Sequence, residues 1–197
     1  MTPIGKNLPC PDASSQRKRK FLRSFDGLLA AISLAGFAFA APSADAATYT
    51  WTPTAVGTFN WNNASSQNNW TSGFPNALAD VANMNINITG NQTVNLNQAI
   101  TVGSLTIGDN NGTQTVTLAP NGGSLAFDVS SGSANLIRSA VGTGATTISA
   151  PITLNDNLTV SLASGTASST MTLSGVISES GGAKTLTKDS RGHFPFR

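Results

Sequence analysis

The chain has 197 residues, 10% charged and 39% hydrophobic, with a formal net charge of +2 at pH 7, one cysteine and one histidine. Six of its eleven basic residues (Lys6, Arg17, Lys18, Arg19, Lys20 and Arg23) and the single Cys10 all precede Ser24. That distribution excludes a disulfide-stapled domain and makes the positive balance a property of the N-terminus, not a nucleic-acid footprint.

The basic run leads into the apolar stretch Gly27 to Ala40, which is short for a bilayer span, and then into Ala44-Asp45-Ala46, a small-x-small cleavage pattern. Residues 1–46 therefore read as a signal peptide, cut after Ala46 or, as second choice, after Ala40; an uncleaved anchor is the alternative. The mature chain is expected to be exported, extracellular or at a bacterial cell surface, and no longer in the membrane. From Ala47 to Ser178 the only charges are Asp80, Asp109, Arg138, Asp128 and Asp156. Solubility must then come from Asn, Thr and Ser, as is typical of extracellular β proteins.

Residues 47–83 hold Trp51, Trp61 and Trp70 at intervals of nine to ten residues, with Phe59 and Phe74 among them and weak alternation. This segment is expected to be an N-terminal aromatic cap. Its three indoles are also the candidate carbohydrate-binding residues, because an exposed indole face stacks on a sugar ring while nearby Asn or Asp bonds its hydroxyls.

Residues 84–188 form a repeat region. Thr93–Leu96, Ile100–Val102, Leu105–Ile107, Val116–Leu118, Leu125–Phe127, Ile152–Leu154, Leu158–Leu162 and Met171–Leu173 each alternate apolar and polar residues, the period of a strand with one buried face. Gln92-Thr93-Val94-Asn95-Leu96 resembles Gln114-Thr115-Val116-Thr117-Leu118 at an offset of 22, Leu158–Leu162 continues the theme 44 further on, and Ser104-Leu105 matches Ser124-Leu125 at 20. Such periods predict an all-β fold, a right-handed parallel β-helix whose coils bury their inner faces only by stacking. An antiparallel β-sandwich is the alternative. Asn111-Gly112, Asn121-Gly122-Gly123, Ser131-Gly132, Gly142-Thr143-Gly144 and Gly181-Gly182 mark turns, and Asn residues at equivalent turns are expected to stack across coils.

Residues 189–197, Asp189 to Arg197, lack alternation and read as an aberrant tail from truncation or a frameshift. A solenoid left open there would expose unpaired strand edges and invite self-association.

Chemistry-bearing residues are few. Asp109, Asp128 and Asp156 could stack into a glycosidase-like carboxylate set, but each sits in a turn-like or strand-end context where Asp ordinarily accepts backbone hydrogen bonds. Asp109-Asn110-Asn111-Gly112 lacks the alternating ligands and terminal Glu of a calcium loop, and His193 has no second ligand nearby in sequence. The catalytic, cofactor and metal sets are therefore expected to be empty. Sequons such as Asn63-Ala64-Ser65 and Asn157-Leu158-Thr159 follow from Asn/Thr richness.

The run Trp51 through Gly57-Thr58-Phe59-Asn60-Trp61, then Asn69-Trp70, Phe74-Pro75-Asn76 and Ala79-Asp80-Val81-Ala82-Asn83, followed by Ala99-Ile100-Thr101-Val102-Gly103-Ser104-Leu105-Thr106-Ile107-Gly108, is similar to the start of exported proteins carrying the autotransporter-associated β-strand repeat. Leu173-Ser174-Gly175-Val176-Ile177 and Leu186-Thr187-Lys188 resemble the run-in to that repeat. The resemblance, from about Tyr49 to Lys188, implies an N-terminal fragment of a passenger-type β-helix: a non-enzymatic surface or secreted segment with a structural or adhesive role. Its expected partners are a surface polysaccharide or extracellular matrix, with no nucleic acid; a carbohydrate-binding or polysaccharide-processing β domain is the second expectation.

Overall fold

The computed structural model describes residues 46–63, 69–138, 142–162 and 170–189; the signal peptide expected over 1–46, the last eight residues of the expected tail and His193 lie almost wholly outside them. All regular structure in the described residues is β. An incomplete opening coil consists of β1 (Thr48–Thr50) and β2 (Gly57–Asn60). Four full coils of three strands follow: β3 (Val81–Ile86), β4 (Gln92–Leu96) and β5 (Ala99–Val102); β6 (Ser104–Asp109), β7 (Val116–Pro120) and β8 (Ser124–Phe127); β9 (Ala134–Arg138), β10 (Ala145–Ile148) and β11 (Ile152–Leu154); β12 (Leu158–Leu162), β13 (Thr170–Leu173) and β14 (Ile177–Glu179). β15 (Leu186–Lys188) begins a fifth.

From β3 onward, every third strand joins the same sheet. The first sheet runs β1-β3-β6-β9-β12-β15, the second β2-β4-β7-β10-β13 and the third β5-β8-β11-β14, all paired in parallel. This is a parallel β-solenoid of about four turns, and parallel pairing throughout the three sheets rules out the antiparallel sandwich. Strand alternation builds the core. Val94 and Leu96 of β4, Ile100 and Val102 of β5, and Leu105 and Ile107 of β6 are fully buried, and the same inward positions recur in each coil above. No single coil has a second layer to cover these side chains, so each stabilises only by lying on its neighbours.

The register corrects the sequence repeats. Gln92 lies opposite Val116 and Val94 opposite Leu118, so this coil is 24 residues long and the expected offset of 22 slips by two, which keeps the buried face but moves the partner. Leu158–Leu162 is in the first sheet, not the second with β4 and β7, and the Ser-Leu pairs at 104 and 124 open strands of the first and third sheets. Identical alternation on all three faces makes strands of different sheets resemble one another. Corner length hides the true period: Gly103 alone joins β5 to β6, whereas residues 128–133 join β8 to β9. At Gly103 a Cβ would stand 2.6 Å from the Ala79 Cα, so the one-residue corner requires glycine.

The Asn turns pair across coils without forming continuous ladders. Asn111 Nδ2 donates to Asn87 Oδ1 at 2.8 Å. Asn91 Oδ1 accepts the Thr115 N–H and Asn157 Oδ1 the Thr185 N–H, the same device on two different faces.

Candidate functional site

The aromatic segment replaces the third strand of the opening coil. Residues 69–71 run antiparallel beside 50–52, with Thr52 N–H donating to Asn69 O and Thr71 N–H to Thr50 O. Farther on, Asn76 Oδ1 takes the Thr101 N–H from the outer edge of β5 at 2.8 Å, and Asp80 O takes the Gly103 N–H. Asp80 also fixes the segment itself, its carboxylate accepting the N–H groups of Ala47 and Asn76. An edge that would otherwise be free is thus occupied by this chain's own groups.

Trp51, Trp61 and Trp70 form the inside of that cover. They are 1%, 0% and 2% exposed. Trp51 meets Trp70 edge-on at 5.1 Å between ring centroids and Phe59 at 5.9 Å, and Trp61 lies tilted against Trp70 at 4.7 Å. All three indole N–H groups are bonded: Trp51 to Gln92 Oε1, Trp61 to Pro75 O and Trp70 to Trp61 O. Their faces are spent on one another and on the core, which leaves none open for a sugar ring. Gln92, which the sequence reading did not single out, completes the arrangement. It occupies the inward position below Val116, and its amide nitrogen donates to Pro53 O and Ala55 O while its oxygen receives Trp51. Its place in the alternation with Val94 and Leu96 was the available signal.

The three aspartates do not converge. Asp109 ends a strand of the first sheet, whereas Asp128 and Asp156 follow strands of the third. Asp109 is 2% exposed and its oxygens accept the N–H groups of Ile88, Thr113 and Gln114 and the Thr113 hydroxyl. Burial alone would raise its pKa; the bonds from Ile88, Gln114 and Thr113 outweigh that and hold it below the ordinary value. Asp128 accepts Asn155 Nδ2, and Asp156 accepts the Val129 N–H. All three act as turn fasteners. Among the described residues no group of three His, Cys, Asp or Glu side chains is placed to hold a metal ion.

One inward position is cationic. Arg138, opposite Leu162 at the end of β9, is 2% exposed and donates to the buried Thr146 Oγ1 and to Gly144 O. Desolvation lowers its pKa from the ordinary value, and the guanidinium remains charged.

Among the described residues, these polar side chains fasten turns and close the opening coil. Comparisons with protein-family models, curated proteins and solved structures yield no match. The fold defines the class: a parallel β-solenoid with a self-capped opening coil.

Proposed function

We propose that the chain is an exported, non-enzymatic column of the autotransporter-passenger type, which projects a structural or adhesive surface from a bacterial cell. The observation that carries this reading is the division of labour along every full coil. Inward positions are filled mainly by aliphatic side chains, with Gln92, Arg138 and Thr146 as polar exceptions, while outward positions carry mainly Thr, Ser and Asn. Such an object extends by about 4.8 Å per coil, and its product is length and repeated polar surface. The basic-apolar-small leader of residues 1–46 and the resemblance of Tyr49 to Lys188 to passenger proteins support export, and a surface polysaccharide or extracellular matrix is the partner class that this reading supplies.

Expression of the full chain in a bacterial host tests it by shaving intact cells with protease and by sequencing the N-terminus of the exported product. The reading requires loss of the leader near Ala46 and a protein outside the cytoplasm; an uncleaved cytoplasmic product contradicts it. Titration with polysaccharides separates column from sugar-stacking domain. Because the indoles are enclosed, tryptophan emission should stay flat even where retention on a polysaccharide column is seen, and a saturable shift would restore the indoles as binding residues.

A further inference from the structure

The outer face of the second sheet carries one residue type in perfect register. Thr58 of β2 lies opposite Thr93 of β4, Thr93 opposite Thr117 of β7, Thr117 opposite Thr147 of β10, and Thr147 opposite Thr172 of β13. The file therefore runs through all five strands of the sheet. Composition alone does not account for it. The matching file on the first sheet reads Thr48, Val81, Ser104, Asn135, Thr159 and Thr187, and that on the third reads Thr101, Ala126, Thr153 and Ser178. Uniform threonine belongs to one face.

Among the described residues the five hydroxyls bond to none, which leaves their donors and acceptors open to a ligand. Asn60, Asn95 and Ala119 flank the file on one side, and Ala145 and Thr170 on the other. None of these outward positions is charged or aromatic. β-Branching restricts χ1, so equivalent threonines on a parallel ladder repeat the same methyl and hydroxyl placement on every rung. The rungs stand about 4.8 Å apart and outward positions along a strand about 6.6 Å apart.

We infer that this threonine face binds ice. A ladder spacing of about 4.8 Å is close to the repeat along the a axis of hexagonal ice, so that successive hydroxyls join one ordered row of water while the methyls sit between rows. Charge argues for the same ligand: an uncharged face complements an uncharged lattice and does not impose ion-centred hydration upon it. Area argues against a protein partner, since five rungs by three columns offer on the order of 400 Å², about half of what each side of a standard protein interface buries. A sugar polymer would want aromatic platforms, and Phe59 points inward opposite Val94. The inference adds an activity to the column proposed above and does not depend on where the column is displayed, so each can fail alone.

The test uses the purified full chain in slowly grown ice and in a recrystallisation assay, with albumin as the excluded control. Wild type should partition into ice and hold ice grains small. Thr117→Tyr, at the middle rung, and Thr93→Tyr, its neighbour, should each reduce ice partition roughly tenfold, a loss of ~1.4 kcal/mol in affinity. Thr159→Tyr, outward on the first sheet, should leave it unchanged; matched circular dichroism shows that all three variants keep the fold. Exclusion of wild type from ice at the level of albumin overturns the inference, as does an equal loss in Thr117→Tyr and Thr159→Tyr or full retention in both variants of the threonine file.

Discussion

A buried carboxylate at Asp109 is tolerable because its acceptor capacity is filled by four donors, the Ile88 N–H from the neighbouring coil and the Thr113 N–H, Thr113 hydroxyl and Gln114 N–H from the corner that follows it. Asp109→Asn replaces one acceptor oxygen by an amide that faces N–H groups it cannot bond. The expected cost is about 1 to 3 kcal/mol, read as a lower urea midpoint. The wild-type carboxyl titrates below its ordinary value. Its contribution is therefore complete above the ordinary aspartate range and is lost as pH falls through the lowered folded value. Unfolding followed from neutral pH to below pH ~3 should show a steeper acid loss in wild type than in Asp109→Asn; parallel curves would remove Asp109 from the account. Its fastening role is the reading that turn context gave in the sequence. The partner identities were hidden, because Ile88 lies one coil away and only the register brings it near.

At the scale of the strand, the same alternation that made eight strands readable made others invisible. β3 turns Ala82 and Met84 inward, β9 turns Ala134, Leu136 and Arg138 inward, and β10 begins its inward file with Thr146. A sequence scan assigns Arg and Thr to the solvent side, which erases the pattern; here they satisfy one another instead. Arg138 also stands opposite Leu162, at a position that an aliphatic side chain fills in the next coil. Arg138→Leu should cost about 1 to 3 kcal/mol, since it strands Thr146 Oγ1 and Gly144 O in the core. Adding Thr146→Val removes one of those orphans, and the double variant should recover at least half of the loss. A double-mutant cycle by chemical denaturation decides it: strictly additive losses would mean that the two side chains do not cooperate. The glycine at 175 shows how close neighbouring coils come, because a Cβ there would lie 2.0 Å from Ala150 O. Nothing in the sequence distinguished this glycine from a flexible turn, since its constraint is set by a backbone a full coil below.

Across the whole solenoid the two ends differ. The opening edge is closed by residues 69–80, whose backbone and Asn76 side chain take the groups that β1 and β5 present. At the other end, among the described residues, the three sheets finish at β13, β14 and β15, and the inward Ile177 and Leu186 are only half-buried, unlike Ile152 and Leu158 directly beneath them. The tryptophan cluster stood out in the sequence as an excess of indoles, but the membership of β1 and β2 in the parallel sheets did not; the contrast between the ends was legible only as the place where alternation stops. A parallel sheet edge above a half-buried apolar layer is a template for one more coil, which a second copy of the chain would supply. Sedimentation velocity should therefore show mass rising with protein concentration. Leu186→Lys places a charge on the layer that would be buried, and should keep the chain monomeric at concentrations where wild type associates while lowering its own stability by no more than about 1 kcal/mol, because Leu186 is already partly in water. Association that persists unchanged in Leu186→Lys would shift the contact to another face, and the threonine file of the second sheet would be the next surface to substitute.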